Sequence, residues 1–220
     1  MSEAAVRPGE AVLVLHGLLM NRYAMAVLAA RLRRAGFTVQ AFSYKSLRDG
    51  IESHVAATLR RFDGLNFGRV HLVGHSMGGV VALKAVERMR DAQRRRLGRV
   101  VALGSPLSGR EMALAAEHHP LGRWMLGKST ELWREGYPLR IPEGVAVGAI
   151  AGTRRFGLGA MLGRLRGPND GVVRVEETRL PGLADHVVLP VTHSGMLVSG
   201  AVGRQCVAFL RHARFQQEKT

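Results

Sequence analysis

Three side chains have the types that hydrolytic chemistry at a serine requires. Ser76 lies in Gly-His-Ser-Met-Gly-Gly, which has the spacing G-x-S-x-G. Asp170 lies in Pro-Asn-Asp-Gly and His193 in Thr-His-Ser-Gly, both in the last quarter of the chain. A serine hydroxyl becomes a good nucleophile only when a base removes its proton, and the base needs a carboxylate to fix its tautomer. The sequence therefore offers a candidate nucleophile, acid and base.

The residues around Ser76 predict a strand, a sharp turn and a helix in direct succession. An apolar run at residues 70–73 precedes Gly74, and apolar residues recur at helical spacing after Gly78. The central residue of such a turn has strained backbone, so small residues are needed on both sides. The first N–H groups of the helix, beginning at Met77, then point towards the serine hydroxyl. A plain glycine-rich loop is the alternative for the motif alone, but the flanking strand and helix favour a nucleophile.

Gly-His-Ser-Met-Gly-Gly after a buried strand resembles the nucleophile elbow of the α/β-hydrolase superfamily. Three further features extend this resemblance over most of the chain: the His-Gly pair at residues 16–17, Asp170 and His193. It implies an α/β-hydrolase fold, with a mostly parallel sheet and helices on both faces. The late part of the chain resembles the acid-and-base portion of the small bacterial lipases and their esterase relatives.

The resemblance also implies an oxyanion hole. His16-Gly17 follows an apolar strand, as the first central strand of this superfamily is followed by a His-Gly pair. The backbone N–H of Leu18 would face that of Met77 across the reacting carbonyl, and His16 would be structural. The alternative is an ordinary strand-to-helix turn, for which a glycine at position 17 would be equally useful.

The acid and the base are selected by chain order and by position on the sheet. In this fold the order is Ser, then Asp or Glu, then His, with the histidine after the last strand. His193 follows that strand, and Asp170 lies in a turn that can aim its side chain. Taken singly, each has an ordinary alternative, a turn cap and a loop histidine. Four other residues lie at the wrong end of a strand or within a helix: Asp91, Asp185, His186 and His212.

Strand and helix signals alternate along the rest of the chain, which predicts a parallel sheet with helices on both faces. Ligands bind such sheets at the carboxyl ends of the strands, where every motif named so far falls. The predicted strands are residues 11–15, 38–42, 70–73, 99–103, 144–151 and 185–191. The predicted helices are residues 22–35, 49–62 and 199–214, besides the one after Ser76.

Residues 106–142 interrupt the alternation and contain both tryptophans, Trp124 and Trp133. We interpret them as a short helical cap over the active edge, whose apolar inner side would form an acyl pocket. A packing insertion without a role in substrate choice is the alternative. His118-His119 lies in this segment without a third ligand candidate, so no metal is expected. No organic cofactor is implied either.

Length and composition predict a single domain, residues 1–220, with 46% apolar and 22% charged residues. One cysteine, Cys206, and the lack of a signal peptide or a long apolar run predict a cytoplasmic protein. The formal charge of +15 favours anionic partners, and contact with an anionic membrane surface is one expectation. No nucleic-acid motif is present, so nucleic acid is not an expected partner. An arginine-rich proteome would also explain the charge.

Together these features predict a hydrolase that cleaves carboxylic esters, including lipid esters, through Ser76, Asp170 and His193. An acyltransferase or thioesterase would use the same residues, and the arginines near Asp170 would suit a phosphorylated carrier such as coenzyme A. These arginines are Arg154, Arg155, Arg164 and Arg166. A non-catalytic binding module is a third hypothesis, although no catalytic position is missing.

Overall fold

The computed structural model describes residues 7–108, 139–156 and 166–216. Its strands form one parallel sheet of six, in the order β2-β1-β3-β4-β5-β6. The strands are β1 Arg7–Leu15, β2 Thr38–Ala41, β3 Phe67–His75, β4 Leu97–Leu103, β5 Val147–Gly152 and β6 Asp185–Leu189. The α-helices are α1 Ala26–Arg34, α2 Ile51–Asp63, α3 Met77–Glu87, α4 Asp91–Arg96 and α5 Gly200–His212.

Side chains of the strands alternate between two apolar cores, one on each face of the sheet. On β1, Leu13 and Leu15 pack with the core under α2 and α3, whereas Val12 and Val14 pack with the core under α1 and α5. Helices therefore cover both faces, as the parallel alternation of strands and helices requires. The predicted fold class is confirmed.

Several predicted elements differ in detail from the observed ones. Residues 22–35 form a 3-10 helix, Arg22–Met25, followed by α1. The helix α3 is more completely buried than the helical spacing of its apolar residues indicates, and even Lys84 is buried, where it pairs with Glu87 at 2.8 Å. Asp91 opens the separate short helix α4 and does not lie within a helix that continues α3.

Two predicted features lie wholly or mainly outside the described residues. Residues 109–138 account for most of the predicted cap, including both tryptophans and the His118-His119 pair. Arg164 lies outside them as well. Within the described ranges, no helix has the length and apolar character needed to cross a lipid bilayer.

Candidate active site

The turn between β3 and α3 holds Ser76 in strained backbone. Ser76 has φ +54° and ψ −125°, in the left-handed φ region that residues with a side chain rarely adopt. Such a conformation costs about 1–3 kcal/mol and persists only where the surroundings enforce it. The enforcement is visible in the hydrogen bonds, because the Ser76 N–H donates to the Leu103 carbonyl at 2.8 Å. The Gly79 N–H donates to the Ser76 carbonyl at 3.0 Å.

The glycines of the motif are required by close backbone contacts. A Cβ on Gly74 would lie 2.3 Å from the Gly78 carbonyl oxygen, and one on Gly78 would lie 2.5 Å from the Leu15 carbonyl oxygen. Real Cβ atoms do not approach that closely, so the strand, the helix and the end of β1 can meet only at glycine. A Cβ on Gly17 would lie 3.0 Å from the Ser76 Cβ. The turn after β1 is therefore packed directly against the candidate nucleophile.

Asp170 and His193 form a buried hydrogen-bonded pair. The His193 Nδ1 lies 2.8 Å from the Asp170 Oδ2. The other carboxylate oxygen, Oδ1, accepts the N–H groups of Val172 and Val173 at 2.9 Å and 2.7 Å. Since an ionised carboxylate only accepts, this arrangement places the proton on Nδ1 and leaves the His193 Nε2 lone pair available as a base.

The backbone of His193 is fixed from two further directions. Its N–H donates to the Asp170 carbonyl at 2.9 Å. Its own carbonyl accepts a hydrogen bond from the His75 Nε2 at 3.0 Å, and the two imidazole rings lie 4.6 Å apart. His75 immediately precedes Ser76, so one side chain joins the nucleophile turn to the base.

His75 is held neutral by its surroundings. It is fully buried, and burial, followed by the proximity of His193, lowers its pKa to about 3. Because Nε2 donates to a carbonyl, the proton resides on Nε2, and the buried Nδ1 has no hydrogen-bond partner in the described part of the chain. Sequence reasoning did not identify His75 as part of the site. Its position within the elbow motif was the available signal.

Two strand-end glycines make room for the acid–base pair, and sequence reasoning missed both roles. A Cβ on Gly104, which has φ +52°, would lie 2.9 Å from the Asp170 Oδ2 and 3.1 Å from the His193 Nδ1. A Cβ on Gly152 would lie 2.8 Å from the Asp170 Cβ. The signal was a glycine at the carboxyl end of an apolar run.

The structure brings Asp170 and His193 into contact and places Ser76 beside them through His75. No hydrogen bond joins the Ser76 hydroxyl to His193 in the part of the chain that the structure describes. Such bonds are often long in enzymes without substrate and tighten in the reacting complex.

The turn after β1 presents one N–H group that makes no hydrogen bond to the residues that the structure describes. The Leu19 N–H donates to the Ser46 Oγ at 3.2 Å, and Leu19 has φ +60°. The preceding N–H, that of Leu18, makes no hydrogen bond to the described residues. Met77 is the first residue of α3, and the N–H groups of a helix's first turn point outward along its axis. The expected oxyanion donors thus come from two turns that contact each other.

His16 supports this turn and lies in no position to act as the base. Its Nδ1 donates to the Gly17 carbonyl at 2.8 Å, its Nε2 accepts the Tyr44 N–H at 3.2 Å, and the Tyr44 ring stacks on it at 4.1 Å. Burial lowers the pKa of His16, which keeps the ring neutral. The Tyr44 hydroxyl also donates to the His16 carbonyl.

The rejected candidates lie elsewhere. His186 is at the start of β6, where its Nε2 and the Thr178 Oγ1 are 2.8 Å apart, and Asp185 accepts the Phe215 N–H. His212 ends α5. Within residues 7–108, 139–156 and 166–216, no three His, Cys, Asp or Glu side chains converge in a way that could bind a metal.

Known structures share this fold at low sequence identity. A mature lipase of Bacillus licheniformis matches with a TM-score of 0.72 and 18% identity, over 96% of this chain and 94% of that one. A metagenomic carboxyl esterase matches with a TM-score of 0.62 and 20% identity, over 86% and 66% of the two chains. Phospholipase PlaB of Legionella pneumophila matches with a TM-score of 0.65 and 18% identity, over 91% and 55%.

Sequence comparisons give the family directly. In a direct comparison no curated protein matches the chain. A sequence model of the alpha/beta hydrolase family, however, matches residues 12–191, which run from β1 to the segment just before His193. Together with the parallel sheet and the turn at Ser76, this match shows that the chain belongs to the alpha/beta hydrolase family.

Proposed function

We propose that the protein hydrolyses carboxylic esters through an acyl-enzyme on Ser76. The observation that carries the proposal is the buried pair of His193 and Asp170, whose nitrogen and oxygen lie 2.8 Å apart beside the strained turn that holds the serine. An ester substrate is supported by the neighbours in fold, which are named as a lipase, a carboxyl esterase and a phospholipase.

The reaction follows from the positions of the donors and acceptors. His193 Nε2 takes the proton of the Ser76 hydroxyl, whose oxygen attacks the ester carbonyl. The N–H groups of Leu18 and Met77 stabilise the oxyanion, and each such donor is worth about 3 kcal/mol in comparable sites. His193 then gives its proton to the leaving alcohol. A water molecule repeats the sequence on the acyl-enzyme, while Asp170 holds the imidazole in the productive tautomer.

A fluorophosphonate probe tests the nucleophile. We expect labelling of the wild-type protein and none of Ser76→Ala. The matched control is Ser194→Ala, because Ser194 is exposed and adjacent to His193 but has no role in the proposed chemistry. Absence of labelling in the wild type would contradict the proposal and favour a non-catalytic binding module.

A comparison of substrates tests the reaction class. We expect turnover of p-nitrophenyl esters and little turnover of acyl-coenzyme A. Thioester turnover that exceeds ester turnover, and that falls with added salt, would favour the thioesterase or acyltransferase hypothesis, in which arginines bind the phosphorylated carrier.

A further inference from the structure

We propose that the protein docks on an anionic phospholipid bilayer with the corner where α1 packs beside α5. The inference rests on the proposed function in one respect, since a lipid ester would be delivered to the site from that surface. We call this corner the basic corner. It comprises residues 18–34 and 194–207.

The chain around the basic corner contains no acidic residue. Residues 16–37 and 190–216 lack both Asp and Glu. Their arginines form no ion pair with any described residue, so no described carboxylate compensates their charge. These arginines are Arg22, Arg31, Arg33, Arg34, Arg204, Arg211 and Arg214.

Two of these guanidinium groups converge on a cleft between α1 and α5. The position of a Cβ on Gly200 lies 3.5 Å from the Arg204 Nη1 and 3.9 Å from the Arg31 Nη1. Arg34 lines the same cleft, and none of the described residues that line it carries a carboxylate. Two guanidinium groups around one point suit the oxygens of a phosphate, which guanidinium binds through several N–H donors.

Arg31 has donor capacity that the protein leaves unused. Its Nη2 donates to the Val198 carbonyl at 2.8 Å, which orients the guanidinium, but its buried Nε has no hydrogen-bond partner among the described residues. The stem of Arg31 crosses α5 at Gly203, where a Cβ would lie 2.6 Å from the Arg31 Cδ. Glycine inside a helix costs about 1 kcal/mol relative to alanine, and here it allows the arginine to lie in the cleft.

Exposed apolar side chains lie next to these arginines. Val198 is 57% exposed, and its carbonyl is the one that Arg31 binds. Val27, 41% exposed, lies one turn before Arg31 on the same side of α1, and Tyr23, 69% exposed, lies in the 3-10 helix that precedes α1. Leu19 is 47% exposed and adjoins Leu18, the expected oxyanion donor. At a bilayer surface, such apolar side chains can contact the acyl chains while the arginines bind the anionic headgroups.

This combination favours a bilayer over nucleic acid. The phosphates of a nucleic acid would bind the arginines, but the exposed valines and leucine would not contribute to that binding. The contrast with the α2–α3 side is also clear, because there the basic residues Arg88 and Arg90 pair with Glu52 and Asp63. The basic corner also includes Leu18, the expected oxyanion donor, and Ser194, which follows His193.

Vesicle binding tests the proposal in the Ser76→Ala background, which prevents lipid hydrolysis. We expect co-sedimentation with vesicles of phosphatidylglycerol and phosphatidylcholine, and little with phosphatidylcholine alone. The double variant Arg31→Gln/Arg204→Gln should bind the anionic vesicles about 10- to 30-fold more weakly, since each arginine near an anionic surface contributes to binding. If Arg31→Gln impairs folding, as its melting temperature would show, Arg34→Gln/Arg204→Gln removes the same charge from two exposed residues that make no described hydrogen bond.

The matched control is Arg88→Gln/Arg90→Gln, which makes the same charge change on the other side of the molecule. Its vesicle affinity should stay within about 2-fold of the parent, because charges further than a screening length of ~8 Å from the bilayer contribute little. Equal losses in both double variants would overturn the proposal and show a general effect of net charge. Absence of binding to anionic vesicles would also overturn it.

A second pair of measurements separates lipid from nucleic acid. Tyr23→Ser/Val198→Ser should weaken binding to anionic vesicles and leave binding to heparin, a soluble polyanion, unchanged. Equal losses, or preferential binding of duplex DNA, would overturn the bilayer assignment. Since vesicle binding is measured without catalysis and fluorophosphonate labelling without lipid, failure of docking and failure of the proposed function are distinguishable.

Discussion

The two halves of the candidate site are built in different ways. The nucleophile half is a single contiguous turn, in which β3, Ser76 and α3 follow each other and the glycines of one motif provide the space. The acid–base half joins two loops that are 23 residues apart in sequence, Asp170 and His193. It depends on glycines at the ends of β4 and β5, which belong to neither loop.

Only the nucleophile half is therefore specified by residues that are neighbours in the sequence. A local motif can set the φ of Ser76, but the imidazole of His193 is placed by its neighbours in the sheet. Of the contacts described above, His75 is the side chain that connects the halves, because it precedes Ser76 and donates to the His193 carbonyl. Variants that damage one half and spare the other can therefore test the comparison.

The largest expected effect comes from removing the base. His193→Ala should lower kcat by about 10³-fold or more, because no other group would accept the Ser76 proton. The turn at Ser76 should keep its geometry, which a crystal structure of the variant can verify. The measurement is steady-state hydrolysis of a p-nitrophenyl ester. Near-normal kcat would mean that a different residue serves as base.

Gly104→Ala should damage the acid–base half alone. Its Cβ would crowd the Asp170 Oδ2 at 2.9 Å and the His193 Nδ1 at 3.1 Å. Displacing such a pair by about 1 Å can cost of the order of 10²-fold in rate. We therefore expect the kcat of Gly104→Ala for ester hydrolysis to be lower by about 10²-fold.

Gly144→Ala is the matched control for Gly104→Ala. Gly144 also has a positive φ, +78°, but nothing lies within 4 Å of its Cβ position. Both variants should lose about 1–2 kcal/mol of stability from backbone strain, as measured by denaturant unfolding. Only Gly104→Ala should lose activity, and equal activity in the two variants would refute a role for Gly104 in shaping the site.

The sequence predicted the fold and the local half of the site in most respects. Alternating strands and helices indicated the parallel sheet, and the spacing of Gly74, Ser76 and Gly78 indicated the turn, because both are properties of neighbouring residues. Asp170 and His193 were chosen by chain order. The positions of Gly104 and His75 gave only a weak signal for their roles, because each role depends on which strands lie side by side, and the order β3-β4-β5 is not encoded in any single segment.

His75 tests the link between the halves. His75→Leu removes the Nε2 donor and should lower kcat by about 10-fold, the effect of one lost hydrogen bond, with KM little changed. His75→Gln retains an amide N–H donor of similar reach and should restore most of the rate. A purely packing role would instead make leucine the better replacement, which the ratio of the two kcat values would reveal.

The smallest effect concerns the stability of β3, which carries one buried histidine at its middle, His71, and one at its carboxyl end, His75. Burial lowers the pKa of His75 to about 3, and burial outweighs the attraction of Glu10 to lower the pKa of His71 to about 4. In the unfolded chain both titrate near pH 6.5. At a pH between the lowered pKa of each histidine and 6.5, the unfolded chain binds a proton at that histidine and the folded protein does not. The free energy of unfolding should therefore rise with pH through this range and fall on acidification below pH 6.5.

Near pH 5 each of these histidines should contribute a slope of about 1.4 kcal/mol per pH unit. Denaturant unfolding at several pH values measures the slope, and His71→Gln and His75→Gln should each reduce it by that amount. The slopes should fall alike in the two variants because both side chains are fully buried. Activity should separate them, since His71 contacts the Arg99 N–H at the amino end of the sheet and only His75 contacts the base. A kcat for His71→Leu as low as that of His75→Leu would mean that lost stability, rather than the hydrogen bond to His193, explains the effect at His75.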